Sequence, residues 1–356
     1  MTVETTQTPV LELEKRTKAL VDQQLARFLH DHSTPVDDPE VAAAYRLLRD
    51  FVLEGGKRFR PLLCYWGWRG AGGDESDEVI AAGSALELCH AGLLIHDDIM
   101  DSSDLRRGRP TMHRCLSALY TGPSAAAFGR AAGILMGTLA LAWADELLAG
   151  TDAPPARLRA ARELFDRMRT EVIIGQYLDI LAQVRERSTV DQALQVVRYK
   201  TAKYTVERPL QIGAALAGGS PSLLDAYSRF GLPLGEAFQL RDDILGMFGD
   251  EAQTGKSVLD DLREGKNTVL IAHAREHATP AEAEHLRTWH GNPALDDERA
   301  EELRRIVVRT GALGHVEEQI AARAREALDV LGTAPITPEG REGLAVLADG
   351  LVRRTR

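Results

Sequence analysis

Three aspartates, Asp97, Asp98 and Asp101, fall within five residues in the run HDDIMDSSD. On a helix, Asp97 and Asp101 stand four residues apart and share a face that continues back through Leu94 and His90. Like charges at that spacing destabilise a helix by roughly 0.2–0.5 kcal/mol per pair, so the cluster asks for a cation. Magnesium suits it, because this ion takes one or two carboxylates together with substrate phosphate oxygens rather than a full protein cage. A solvated acidic helix end would show the same spacing. Two flanking features argue against that. Leu93, Leu94 and Ile95 set the acids beside a core, and Arg106 and Arg107 follow in a loop with Gly108 and Pro110. Carboxylates able to hold a metal thus neighbour guanidiniums able to hold phosphate.

A second acidic pair, Asp242 and Asp243, lies in FQLRDDILG, with Gln239 one turn earlier. A glycine-punctuated charged stretch follows it, with Thr254, Gly255, Lys256, Asp260, Asp261, Gly265 and Lys266. Two acidic pairs, each followed by a basic loop, predict two walls of one metal–diphosphate site, because a diphosphate with several magnesium ions needs carboxylates from opposite sides. The alternative is two unrelated helix ends with surface lysines.

Other cations fit the same ligand. GGKRFRP places Lys57 and Arg60 three residues apart, on one helical face if the segment is helical. Cations beside flexible glycines make an anion site that needs no metal; a basic surface turn is the plainer reading. Lys200, Thr201 and Lys203 offer further donors to phosphate. Gln176 and Asp179 lie on an apolar-patterned helix, where a satisfied core contact would look the same.

The elements carrying these residues read as helices. Apolar residues recur at helical spacing from about Val10 to Leu29. Breaks fall at His30–Pro39, Gly70–Gly73, Thr121–Pro123, Thr151–Pro155, Gly218–Pro221 and Ile336–Gly340. The composition favours helix and predicts an all-α chain, one large bundle over residues 1–356, with residues 1–8 a flexible tail. The polar, Pro-containing stretch Thr279–Asp297 reads as a surface insertion. A net charge of −10 argues against a nucleic-acid partner. Three cysteines, Cys64, Cys89 and Cys115, cannot all pair, and with no signal peptide visible they predict a reduced, cytoplasmic setting. No uncharged apolar run approaches the ~20 residues of a membrane span.

Together GGKRFRP, HDDIMDSSDLRRGRPT, GQYLD, YKTA, FQLRDDILG and GKSVLDDLREGKNT, in this order from Gly55 to Thr268, resemble the trans-prenyltransferases, or polyprenyl diphosphate synthases. The resemblance implies an isoprenoid synthase fold, long helices around a central cavity, and a homodimer. It implies about three magnesium ions, held directly by Asp97, Asp101 and Asp242, with Asp98 and Asp243 in support. Arg106, Lys200, Thr201, Gln239, Lys256 and Lys266 would hold an allylic diphosphate. Lys57, Arg60, His90 and Arg107 would hold isopentenyl diphosphate, and Gln176 and Asp179 would line the metal site. Three positions depart from the family pattern: Gly246 where a third aspartate is common, Leu259 where glycine is expected, and Thr138 where aspartate is frequent.

The implied chemistry is ionisation, condensation and elimination. An allylic carbon–oxygen bond breaks, the second substrate's double bond attacks the cation, and a proton leaves to the departed diphosphate. Each added methylene gains ~0.8 kcal/mol of burial, so only a steric floor stops growth. By resemblance that floor lies at Cys89, Gly92 and Leu93, and its lack of aromatics implies geranylgeranyl diphosphate; farnesyl or longer products are the alternative. A class I terpene cyclase should carry a different second metal motif, and a non-catalytic partner subunit should have lost its metal ligands.

Overall fold

Several helix starts follow the capping chemistry of the sequence. A computed structural model describes residues 3–54, 56–185, 189–249 and 259–352, with backbone alone for residues 3–9 and 260. Helix α1 spans Val3–Asp31 and α2 spans Pro39–Leu53. Asp38 caps α2: its Oδ1 accepts from the Glu40 N–H at 2.8 Å and the Val41 N–H at 3.1 Å, and Pro39 occupies the first turn, where no N–H is needed. Next come α3 (Phe59–Gly70) and α4 (Asp77–Met100), the latter capped by Ser76. A hairpin of two-residue strands, β1 (Leu105–Arg106) and β2 (Arg109–Pro110), precedes α5 (Met112–Ser117), α6 (Ala125–Ala149) and α7 (Pro155–Val184). Thr189 and Gln192 form a capping box for α8 (Val190–Val196), which runs into a π-helix over Val197–Glu207 and then α9 (Arg208–Ala217). The remaining helices are α10 (Pro221–Phe248), α11 (Asp260–Glu264), α12 (Val269–His277), α13 (Pro280–Trp289), α14 (Asp297–Arg309), α15 (Ala312–Thr333) and α16 (Pro338–Val352).

These helices gather into two compact units. One holds residues up to Glu163 with Pro209–Ser220 and Thr337–Gly343; the other holds Leu164–Arg208, Pro221–Ile336 and residues from Leu344 on. In the first, α4 packs on α6, α3 and α1 over a core of Leu25, Leu48, Leu62, Trp66, Leu86 and Ile95. In the second, α10 packs along the π-helix and α15, with Leu240, Val269, Leu270, Leu303 and Val307 fully enclosed.

Two expectations change. Helix α1 already runs from Val3, so residues 3–8 are helical rather than a loose tail. The stretch Thr279–Asp297 is no insertion: it carries α13, and Leu286 and Leu295 lie in the second core. Polar residues dominate there because only one side of a short helix is buried. Among the described residues α4 and α6 are long and apolar enough to cross a membrane by length and composition, although Glu87 interrupts the one and Arg130 the other, so neither is an uncharged run of ~20 residues; 78% of the apolar window of α4 and 22% of that of α6 is buried within the chain.

Helices α3 and α9 cross at glycines. A Cβ at Gly213 would fall inside the contact distance of the Cys64 carbonyl oxygen, and one at Gly67 inside that of the Leu210 carbonyl. Gly314 on α15, by contrast, has nothing within 4 Å of such a Cβ. Gly213→Val should therefore cost about 2–3 kcal/mol through overpacking. Gly314→Ala should gain roughly 0.5–1 kcal/mol by removing helical glycine. Urea unfolding followed by circular dichroism checks both; equal effects would contradict the close crossing.

Candidate active site

The first acidic cluster is shaped by a chain reversal. Helix α4 ends at Asp101, whose N–H bonds the Asp97 carbonyl at 2.9 Å. Ser102 then takes a left-handed φ of 55°, and the Ser103 N–H returns to the Asp98 carbonyl at 2.9 Å. The hairpin brings Arg106 back over the acids. Its Nε lies 2.7 Å from Asp98 Oδ1, and its Nη2 lies 2.6 Å from the same oxygen and 3.3 Å from Asp97 Oδ2. Burial opposes the Arg106 charge, but the bond to Asp98 and the fields of Asp98, Asp97 and Asp101 raise its pKa. The Asp98 side chain is fully buried and Asp97 is 20% exposed. Asp98 therefore acts on Arg106, while Asp97 and Asp101 reach the surface.

Beside this end of α4 lies a cationic cleft lined in part by Arg58, Glu87, His90 and Arg107. Lys57 and Arg60 do not share a helical face as expected, because Arg58 takes a left-handed φ of 52° and α3 starts only at Phe59. Arg58 turns inward, 2.8 Å from Glu87 and 2.9 Å from Asp22, and is the structural member of GGKRFRP. Burial, then the charges of Arg60, Arg107, Arg106 and Arg58, push His90 well below the ordinary histidine range. Burial likewise lowers Arg107, with Arg106, Arg58 and Arg60 adding repulsion against the pull of Glu87. An anion bound here would relieve that repulsion.

In the second unit the π-helix carries Lys200, Thr201 and Lys203. π-turns are rare and occur often at functional sites, and no spacing signal announces this one. Lys200 Nζ lies 2.6 Å from Asp179 Oδ2, and Lys203 Nζ lies 3.0 Å from Glu171. Thr201 Oγ1 donates to Gln239 Oε1 at 2.8 Å, and Gln239 Nε2 donates to Asp243 Oδ1 at 2.8 Å. Gln239 is thus a link between the π-helix and the acidic pair. Gln176 Nε2 is shielded from solvent without a partner among the described residues.

Asp242 is exposed, whereas burial pushes Asp243 up to about 7, with Asp242 and Asp261 adding to it against the Gln239 bond and Lys266. Sequence reasoning left Asp261 unassigned. Its carboxylate, from α11, occupies the space a side chain at Gly246 would need. Lys266 Nζ sits 2.9 Å from Asp261 and 2.9 Å from Glu264. Leu259 is an enclosed core residue. Lys256 lies outside the described residues. Among the described residues, no three His, Cys, Asp or Glu groups converge to hold a metal unaided.

Of the residues expected at a product-length floor, Cys89 is fully buried and Leu93 half-buried. Gly92 is corrected: it faces α6, where a Cβ would lie 2.7 Å from the Gly137 carbonyl and 2.9 Å from Leu141. The Thr138 hydroxyl is turned back to the Ile134 carbonyl at 2.9 Å.

Asp243 generates a pH dependence. Its native value near 7 lies above its ordinary value of 3.8, so between the two the folded state keeps a proton that the unfolded chain has released. Stability of the metal-free protein should be fullest below about pH 4, fall as pH rises to about 7, and level off above that. Asp243→Asn should flatten this slope in urea titrations run with a chelator. Parallel slopes for the two proteins would contradict the burial.

Residues 41–307 match the family model described as polyprenyl synthetase. The chain is 32% identical over 324 residues to the geranylgeranyl diphosphate synthase of Methanosarcina mazei, covering 89% of this chain and 93% of that protein. It is 32% identical over 310 residues to the geranylfarnesyl diphosphate synthase of Aeropyrum pernix, covering 86% and 92%. The crystal structure of geranylgeranyl pyrophosphate synthase from Corynebacterium glutamicum, complexed with isoprenyl diphosphate and magnesium, matches with a TM-score of 0.91 at 39% identity, over 96% of this chain and 99% of that one. The two synthases named first differ in product length, so similarity alone leaves the length open. By sequence and by fold, this all-α chain belongs to the polyprenyl synthetase family and is a transferase of the trans-prenyl diphosphate synthase kind.

Proposed function

We propose that the chain condenses isopentenyl diphosphate with an allylic diphosphate and that its main product is geranylgeranyl diphosphate. The observation that carries this reading is the pairing, within each unit, of an acidic helix end with a cation-bearing loop: Asp97 and Asp98 with Arg106, and Asp261 beside Asp243 with Lys266.

The donor set fits magnesium. Asp97, Asp101 and Asp242 offer hard carboxylate oxygens that are not fully buried, with phosphate oxygens completing the coordination. About three ions would be held by these residues, each supplying positive charge toward the leaving diphosphate when bound. Arg106, Lys200, Lys256 and Lys266 orient the allylic diphosphate, and the shielded Gln176 amide has a free N–H to offer an anion. Lys57, Arg60, His90 and Arg107 receive isopentenyl diphosphate. These fixed cations stabilise charge as the allylic carbon–oxygen bond breaks. The double bond of isopentenyl diphosphate then attacks the allylic cation, and the departed diphosphate takes the proton.

No aromatic side chain stands at Cys89 or Leu93, which supports a C20 product over C15. The apolar, exposed Phe128, Ile134 and Leu135 of α6 suit a homodimer contact, and three free cysteines suit the cytoplasm.

Mass spectrometry of products made with magnesium and each allylic primer tests the length. C20 should dominate; absence of C20 from farnesyl and isopentenyl diphosphates would contradict it. Asp97→Ala and Asp242→Ala should each lower kcat by a factor on the order of 10²–10³ or more with little unfolding. Full activity in either would contradict the metal roles.

A further inference from the structure

Lys266 lies in the short link between α11 and α12, two residues past a helix of only five residues. So short a helix has little stability of its own, and a lysine ammonium sits on a flexible four-carbon stem. Where that ammonium points depends on what fixes its backbone.

The backbone is fixed by a string of side chains in the same unit. The Lys266 carbonyl oxygen lies 3.1 Å from His290 Nε2. Arg275 Nη2 lies 3.1 Å from His290 Nδ1, and Arg275 Nη1 donates to Asn267 Oδ1 at 2.7 Å. Asn267 Nδ2 in turn donates to the Ala182 carbonyl of α7 at 2.6 Å. A second set of bonds grips the same stretch: the Gly291 N–H donates to the Leu262 carbonyl at 2.8 Å, and Arg263 donates to the Leu295 carbonyl at 3.0 and 2.7 Å. Residues 290–295, expected to be part of a surface insertion, instead clamp residues 262–266.

The imidazole's role follows from its neighbours. A guanidinium can only donate and a carbonyl oxygen can only accept, so the ring is neutral, accepting at Nδ1 and donating at Nε2. Burial, with the Arg275 charge adding to it, pushes His290 down to about 4 and keeps it neutral.

We propose that His290, braced by Arg275 and Asn267, is a positioning residue that fixes the Lys266 backbone so that its ammonium meets the allylic diphosphate. This rests on the reading of Lys266 as a diphosphate ligand. Displacement of a binding group by 1 Å costs up to ~10²-fold, so a positioning role is kinetically visible.

Steady-state kinetics with both substrates on His290→Phe, His290→Gln, Lys266→Ala and the His290→Phe/Lys266→Ala pair tests it, with circular dichroism as the fold check. His290→Phe should raise KM for the allylic diphosphate about tenfold and leave that for isopentenyl diphosphate nearly unchanged. His290→Gln, whose amide can accept from Arg275 and donate to the carbonyl, should restore KM to within about threefold of wild type. In the Lys266→Ala background His290→Phe should add nothing. Unchanged KM in His290→Phe, equal loss in the Gln and Phe variants, or a further loss on top of Lys266→Ala would overturn the proposal. A Lys266→Ala enzyme with wild-type kinetics would instead remove the lysine's assigned role. If His290→Phe does not fold, Arg275→Met, which breaks both of that guanidinium's bonds, carries the same comparison.

Discussion

Carboxylates gathered at the end of an apolar helix repel one another, and the surrounding residues are arranged to answer that repulsion. Each acidic cluster has a cation brought to it by a chain reversal. Arg106 arrives on a two-residue hairpin and binds Asp98 and Asp97; Lys266 arrives on a short helical turn and binds Asp261 and Glu264. The compensation is incomplete in both places. Asp97, Asp101 and Asp242 keep solvent-reaching oxygens, and the raised pKa of Asp243 marks negative charge that burial and its neighbours disfavour. A divalent ion with a phosphate group supplies charge of both signs, so it can complete such a cluster without displacing the cation already present.

The same logic explains why support residues outnumber ligands. Asp98 is spent on orienting Arg106, Gln239 on joining Thr201 to Asp243, and Asp179 on holding Lys200. Long flexible side chains lose less when ordered in advance, so these contacts spare binding energy that would otherwise go into fixing them. The π-helix serves that end. It aligns Lys200 with Asp179 and Thr201 with Gln239, an arrangement set by its wider turn.

Much of this was legible in the residues. Acid spacing, the arginines after Asp101 and the Gly and Pro breaks gave the helices and the charged loops, because those signals are local. That Asp98 turns inward to bind Arg106 was not legible in the spacing, since adjacent helical residues diverge by about 100° and only the packing says which one is enclosed. Arg58 had no role assigned from the sequence, because only its left-handed backbone turns it toward Glu87. Gly92 read as open space, whereas a Cβ there would meet the Gly137 carbonyl and Leu141 of α6. Asp261 and His290 were hidden for a different reason: each acts through contacts with a segment remote in sequence, and polar composition made the stretch around His290 look like surface.

Calorimetric binding of inorganic pyrophosphate in the presence of magnesium tests the central claim most directly, because it isolates the grip on the diphosphate from the chemistry. Asp97→Ala and Asp242→Ala should each weaken binding by at least about tenfold. Unchanged binding in either variant, or binding of equal strength with magnesium removed, would contradict it.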